Sequence, residues 1–242
     1  MTQLSVNVNK IALLRNSRGG DVPGVLDFAL RAIEFGAEGI TVHPRPDGRH
    51  IREHDVQALR EAIQVELNIE GNPTPDFIAL VQNATPAQVT LVPDDPAQLT
   101  SDHGWNLEKD AEGLKPIIAD FKNSGIRVSL FMDPIPENMA AAAQVGADRV
   151  ELYTEAYGKD FGTAKGSATL QTYIDTAVAA TESGLAINAG HDLNQANLGE
   201  FCRRVPEVLE VSIGHALVAE ALIDGWENTI RSYVRILKET VA

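Results

Sequence analysis

Gly39-Ile40-Thr41-Val42-His43-Pro44-Arg45-Pro46-Asp47-Gly48-Arg49-His50-Ile51 reads as a short strand that ends on chemistry. Its β-branched start suits a strand buried on both faces, and Pro44, which has no N–H to give to a ladder, ends it. His43 and Arg45 then stand at the strand exit. Alternate residues of an extended chain share a side, and the Pro- and Gly-rich turn that follows can return Arg49 and His50 to the same place. Four donor or charged groups at one strand exit are the mark of an α/β protein, whose sites lie at the C-terminal edge of its strands.

Outward from this stretch the chain repeats strand then helix. Strands are expected at Leu4–Val8, Gly39–His43, Glu66–Glu70, Gln88–Val92, Arg127–Met132, Arg149–Leu152, Leu185–Asn188 and Leu209–Ile213. Between them, apolar residues at helical spacing predict helices over Val22–Phe35, Glu53–Ile63 (with Asp55 and Glu61 exposed), Pro75–Asn83, Asp110–Asn123, a Pro134-initiated segment through Ala143, Ala168–Ser183 and Leu193–Arg204. Asn9 to Gly20, with Arg15 and Arg18, reads as a basic loop, and Tyr153 to Gly166 as another long loop. A final helical region begins at Gly214-His215.

Strand-then-helix order requires parallel strands with right-handed crossovers. Eight such units without a composition break predict a single-domain (β/α)8 barrel, a TIM barrel, over residues 1–242 with extra helical segments. A doubly wound open sheet is the structural alternative, but it commonly opens with a Gly-rich first turn that is absent here. Gly36-Ala37-Glu38-Gly39-Ile40 and Gly146-Ala147-Asp148-Arg149-Val150 repeat one helix-to-strand turn.

Composition bounds the function. With 44% hydrophobic and 22% charged residues, the 242-residue chain is ordinary globular material. A formal charge of -14 argues against a nucleic-acid backbone as partner, since that needs a basic face, but leaves small phosphates open, held locally by backbone N–H groups and a few cations. Cys202 is the single cysteine, which rules out an intrachain disulfide or thiolate cluster and suits a reducing cytosol. No signal-like N-terminus and no run of about 18 apolar residues is present, so the expectation is a soluble cytoplasmic protein without a membrane partner.

In a barrel every strand end faces one mouth, so the polar strand ends can be read together: Asn7 and Asn9, His43 and Arg45, Glu70, Glu151, His191 and His215. Ala189-Gly190-His191-Asp192-Leu193 and Ile213-Gly214-His215-Ala216-Leu217 follow strands seven and eight, the usual barrel phosphate site. Glycines there let a phosphate approach the backbone, and a helix starting after Gly214 would aim its N–H groups at the anion. A second anion site would use Arg45 with His50. His43 and His50 lack ligand spacing on one element, so no metal is called for, and no Gly-x-Ser-x-Gly elbow offers a nucleophile. Proton transfer by His and Glu on an anionic substrate is what remains.

Residues 6–19 (Val-Asn-Val-Asn-Lys-Ile-Ala-Leu-Leu-Arg-Asn-Ser-Arg-Gly), the opening stretch, Leu-Asn-Ile-Glu at 67–70, Arg-Val-Ser-Leu-Phe at 127–131, Asn-Ala-Gly-His at 188–191 and Ser-Ile-Gly-His-Ala at 212–216 together resemble the pyridoxine 5′-phosphate synthase family, whose barrel closes the vitamin B6 ring. The resemblance spans Leu4 to about Ala221. It implies condensation of 3-amino-2-oxopropyl phosphate with 1-deoxy-D-xylulose 5-phosphate to pyridoxine 5′-phosphate, phosphate and water, a transferase reaction without cofactor or metal. His43, Glu70 and His191 match the family's acid–base groups, and Glu151 one that stabilises the transition state. Arg45, His50 and Thr100 match contacts to the deoxyxylulose phosphate; Asn7, Arg18, Gly214 and His215 match contacts to the aminoketone phosphate.

Two positions depart from the family pattern. Asn9-Lys10 stands where many members have Asp-His, and Asp192 where many have Gly beside the expected phosphate; all three are expected to contact substrate, Lys10 as a cation and Asp192 through its backbone N–H. Glu70 is expected to have a raised pKa, while His43 and His191 titrate near neutrality unaided. Pro93 to Asn106, with Thr100 at its centre, is the candidate lid. The resemblance also implies a homo-oligomer, an octamer built from dimers. The alternatives are another sugar-phosphate barrel enzyme, an epimerase or an aldolase, and a non-catalytic phosphosugar binder. A Schiff-base aldolase would want a strand lysine, and none of the expected strands has one.

Overall fold

The structure, a computed structural model, describes residues 1–95, 98 and 100–240; three residues of the Pro93 to Asn106 stretch, 96, 97 and 99, lie outside the described residues. Its strands β1 (Gln3–Asn7), β2 (Gly39–Val42), β3 (Glu66–Gly71), β4 (Gln88–Leu91), β5 (Arg127–Met132), β6 (Arg149–Leu152), β7 (Ala186–Gly190) and β8 (Val208–Ile213) close into a barrel in chain order. Every pairing is parallel, β8 back onto β1 included. The closed barrel, rather than the open sheet, is therefore the architecture.

Helices surround it: α1 (Asn9–Asn16), α2 (Val25–Glu34), α3 (Glu53–Ala62), α4 (Pro75–Ala84), α5 (Leu107–Asn123), α6 (Met139–Gln144), α7 (Glu155–Asp160), α8 (Gly166–Glu182), α9 (Leu198–Arg204), α10 (His215–Asp224) and α11 (Trp226–Lys238). Leu4, Val6, Ile40, Val42, Ile69, Val89, Val128, Leu130, Val150, Ile187 and Val211 alternate along the strands and join helix residues such as Val56, Leu59, Phe121, Tyr173 and Phe201 in one apolar cluster. The residues between them face the barrel axis and are polar. Ser5 and Thr41 share a 2.7 Å hydrogen bond, Thr90 donates to Asn68 (3.1 Å), and Arg127 donates to Gln88 (2.9 Å). Arg149 donates to Asn188 (3.0 Å). The apolar core is thus a ring between strands and helices, with a hydrogen-bonded polar axis in place of the bulky branched residues common in such barrels.

Several segments differ from the sequence expectation. Residues 9–16, expected as a loop, form α1, which has no side-chain N-cap and is anchored instead by a buried ion pair. Arg15 Nη2 donates to Asp55 Oδ2 (2.9 Å) and to the His50 carbonyl (3.3 Å), and Arg15 Nη1 lies 2.5 Å from Asp55 Oδ1. Asp55, expected on the exposed face of α3, is 6% exposed for this reason, and its Oδ2 also accepts the Arg52 N–H (2.9 Å) at the start of α3. Asn16 Nδ2 donates to the carbonyls of Arg49 (3.1 Å) and His50 (2.8 Å), so α1 holds the β2–α3 loop from beneath. The Pro134 segment is a 3-10 turn, Pro136–Asn138, followed by α6; α7 interrupts the expected loop at 153–166; α2 and α9 start later than their patterns suggested. Gly225, at φ 83°, divides the last helical region into α10 and α11.

Candidate active site

The strand C-termini open on a cavity of about 600 Å³. Asn7, Asn9, Lys10, His43, Arg45, His50, Glu70, Thr100, Glu151, His191, Asp192, Gly214 and His215, all singled out in the sequence, line it. Arg18 does not: it follows the last turn of α1, exposed to solvent.

On one wall stand His43, Glu70 and Glu151, all buried or nearly so. Asn9 fixes the first of them, its Oδ1 accepting the His43 backbone N–H (2.8 Å), while Asn7 Nδ2 donates to Glu70 Oε2 (3.4 Å). His43 Nδ1 lies 3.9 Å from Glu70 Oε2, too far for a direct hydrogen bond but within the span of one small group bound between them. Burial, with the charges of Arg45, His50 and Arg49 added, holds His43 well below the ordinary histidine range. This corrects the expectation of a His43 that titrates near neutrality. Burial lifts Glu70 well above the ordinary carboxylate range, as expected, and Glu151, Asp94 and Glu210 add to it against the opposing pull of Arg45. Glu151 is raised likewise, by burial and by Glu210 below it on the barrel axis, and its Oε2 has no hydrogen-bond partner among the described residues. The site thus sets an imidazole shifted toward its neutral form beside carboxyls shifted toward theirs, an acceptor beside donors.

A second wall is cationic. Lys10 sits in the first turn of α1, where the helix dipole disfavours a positive side chain, and lines the cavity. His50 stands near it on the neighbouring loop, its Nδ1 accepting the Ile51 N–H (2.9 Å); burial, then Arg45 and Lys10, push it down to about 4. Arg45 was expected to pair with His50 around a phosphate. Its guanidinium instead holds Asp94 Oδ2 (2.5 Å) and the Gln98 carbonyl (2.9 Å), and Ser101 Oγ donates to the same Asp94 oxygen (2.7 Å). Arg45 therefore ties the β2 exit to the segment after β4.

Beside the end of β1, where a Cβ at Gly214 would meet Asn7 at 3.1 Å, α10 begins after Gly214, and the N–H groups of its first turn precede its first internal bond, from Val218 N–H to Gly214 O (3.0 Å). With His215 and Ala216 they line the cavity, a donor arrangement of the kind that suits an anion. Gly190 serves a different purpose from the one expected: a Cβ there would meet the Ser212 carbonyl at 2.3 Å and Glu151 Oε1 at 3.1 Å, so its glycine admits strand packing. His191 Nε2 lies 3.1 Å from Thr100 Oγ1, and its Nδ1 is 2.6 Å from Asp192 Oδ2. The Asp192 carboxylate is turned to His191, and its backbone N–H meets Thr154 Oγ1 (3.2 Å) instead of the cavity.

Sequence reading missed Asp94, Thr154, Ser101, Asn194 and the apolar strip of Val92 and Phe131. The strip had a signal, two apolar residues at strand ends facing the mouth; Thr154 and Asp94 act through partners far away in sequence, which no local pattern shows.

Comparison with known proteins places this geometry in context. The protein family described as "Pyridoxal phosphate biosynthesis protein PdxJ" matches residues 4–239. A pyridoxine 5′-phosphate synthase of Christiangramia forsetii is 53% identical, over 98% of this chain and 100% of that protein. The protein of the same name from Xanthomonas oryzae pv. oryzae is 54% identical over 98% and 97%. Among solved structures, phosphoribosyl anthranilate isomerase from Thermotoga maritima superposes with a TM-score of 0.65 at 14% identity, covering 99% of this chain and 100% of its own, a likeness of fold alone. The chain belongs to the PdxJ family of pyridoxal phosphate biosynthesis proteins.

Proposed function

We propose that the cavity condenses 3-amino-2-oxopropyl phosphate with 1-deoxy-D-xylulose 5-phosphate and closes the pyridine ring, the pyridoxine 5′-phosphate synthase reaction, in one barrel domain. The observation that carries this reading is the neutral His43 set 3.9 Å from a Glu70 whose carboxyl burial lifts well above its ordinary range, both in a cavity lined by Lys10, Arg45 and His50 and by the N-terminus of α10. Joining an amine to a ketone, eliminating phosphate and dehydrating the ring each move protons between fixed groups. His43 takes a proton, Glu70 and His191 supply and recover them, and Glu151, protonated in its buried place, donates to oxygen that gains charge on the way to the product. Lys10, His50 and Thr100 hold the deoxyxylulose phosphate, joined by a remaining N–H of the Arg45 guanidinium, which keeps its Asp94 and Gln98 partners; Asn7, Gly214 and His215 hold the aminoketone phosphate. Arg18 joins that second group only if the chain after α1 moves inward. No lysine lies on a strand among the described residues, which supports this reading over a Schiff-base aldolase.

Mixing the purified chain with both substrates and following pyridoxine 5′-phosphate by absorbance tests the activity. His43→Asn and Glu70→Gln should each lower kcat by about 10²- to 10⁴-fold. Product formation by either variant at the parent rate would remove that residue from the acid–base set. No helix among the described residues is long and apolar enough to cross a membrane; the single cysteine, Cys202, is what supports a reducing, cytoplasmic setting. Leu222 and Ile223, 77% and 86% exposed at the end of α10, support self-association, and an octamer is expected by light scattering.

A further inference from the structure

His191 follows β7 with φ at 60°, the left-handed region that a residue with a side chain seldom adopts. Such backbone persists only where its surroundings hold it. Here they do. The Thr154 hydroxyl, fully buried, donates to the Gly190 carbonyl on one side of His191 and accepts the Asp192 N–H (3.2 Å) on the other. Asn197 Nδ2 donates to the Asp192 carbonyl (3.2 Å), and the Tyr153 ring stands edge-on to the imidazole with centroids 5.1 Å apart. Space has been left for Asp192 as well: a Cβ at Gly158 would press on the Asp192 Cβ at 3.0 Å and on its carbonyl oxygen at 3.1 Å. The product of this backbone is a pair of adjacent side chains that meet, Asp192 Oδ2 lying 2.6 Å from His191 Nδ1 while Nε2 faces Thr100 and the cavity.

We propose that Asp192 is the positioning residue of His191: its carboxylate accepts the Nδ1–H, fixes the tautomer and leaves Nε2 as the one nitrogen free to exchange a proton with substrate, with Thr154 holding the backbone that brings the two together. In the resting site the Nε2 lone pair accepts the Thr100 hydroxyl. When substrate displaces Thr100, Nε2 takes a proton from it, the imidazolium carries hydrogens on both nitrogens with Asp192 against one of them, and the proton on Nε2 later returns to a leaving oxygen. The carboxylate does not bind the substrate phosphate, which it would repel. The catalytic part of this inference rests on the synthase reading above; the tautomer part does not.

The test is ¹⁵N NMR of histidine-labelled enzyme at a pH where the ring is neutral, with His191→Gln identifying the His191 signals, beside steady-state kinetics. Parent enzyme should show His191 protonated at Nδ1. Asp192→Gly, which the left-handed neighbour tolerates, should lose that preference and lower kcat about ten- to a hundredfold, with KM for both substrates within about twofold. Asp192→Asn, whose carbonyl oxygen accepts the same N–H, should recover part of both. An unchanged tautomer and kcat in Asp192→Gly, or a raised KM at unchanged kcat, would overturn the assignment; the second result would make Asp192 a substrate contact. If the parent enzyme formed no pyridoxine 5′-phosphate, the synthase reading would fail while the tautomer result stood by itself.

Discussion

Replacing Arg15 by Met keeps most of the apolar stem and removes the guanidinium beneath the β2–α3 loop. The Asp55 carboxylate then stays 6% exposed with its strongest partner gone. Stripping one member from a buried ion pair costs about 3–5 kcal/mol. Asp55 retains the Arg52 N–H at 2.9 Å and the rim contact of His54 at 3.4 Å, which places the expected loss at the low end, about 3 kcal/mol at pH 7. The pH dependence has a definite sign. Burial pushes Asp55 up, but hydrogen bonds from Arg15 and the Arg52 N–H outweigh it and hold the carboxyl below its ordinary value. A carboxyl depressed in the fold stabilises above its unfolded value, near 3.8, and that contribution disappears as pH falls through the folded one. The gap between parent and Arg15→Met should therefore narrow below pH ~4. Urea unfolding followed by circular dichroism at pH 7 and pH 3 measures both quantities. Adding Asp55→Asn to Arg15→Met should recover at least about 1 kcal/mol, since no charge is then left buried. A loss under about 1 kcal/mol for Arg15→Met, or strict additivity of the two changes, would refute the claim that this pair anchors α1.

Three further outcomes are expected. Glu151→Gln should be more stable relative to the parent at pH 9 than at pH 6 by on the order of 2 kcal/mol, because a carboxyl raised from 4.5 to about 8 stabilises below its unfolded value and loses that contribution as pH rises through the folded one; parallel thermal melts at the two pH values would expose a pH-independent difference if this is wrong. Lys10→Ala should raise the KM for 1-deoxy-D-xylulose 5-phosphate about ten- to a hundredfold, with Lys10→Arg recovering part of it; a lost limb in the pH profile of turnover, at unchanged KM, would make Lys10 a proton carrier. Enzyme treated with a chelator should keep its full rate of pyridoxine 5′-phosphate formation, and activity restored only by a divalent ion would refute the metal-free mechanism.

What could be read from the chain was whatever repeats locally. The strand bounds Arg127–Met132 and Arg149–Leu152 agree with their patterns residue for residue, because Gly125 and Gly146 mark where the preceding helix stops. Once eight parallel strands are accepted, their C-terminal residues must share a mouth, so His43, Glu70, Glu151 and His191 could be grouped before any coordinates existed. The failures lie where distant residues decide. The helix α1 has no capping side chain and a lysine at its positive end, and it forms because Asp55, 40 residues on, receives Arg15. Asp55 was read as exposed for the same reason, since its partner is invisible from its own helix. Arg18 is the converse case: a motif match placed it at the phosphate, whereas the turn after α1 leaves it in solvent. Asp192 shows that adjacency alone does not reveal contact, for its carboxylate reaches the imidazole only through the left-handed backbone at His191.

The polar barrel axis also affects how the fold responds to temperature. Ser5, Thr41, Asn68, Gln88, Thr90, Ser129, Asn188 and Ser212 occupy positions where many barrels bury branched hydrocarbon. Unfolding hydrates them too, and exposing polar surface lowers the heat capacity while exposing apolar surface raises it. The heat-capacity increment of this chain should thus fall below the roughly 12–15 cal/mol/K per residue of ordinary domains. A smaller increment means a flatter stability curve, so the barrel loses less of its stability on cooling or warming away from its optimum than one of equal length filled with valine and isoleucine.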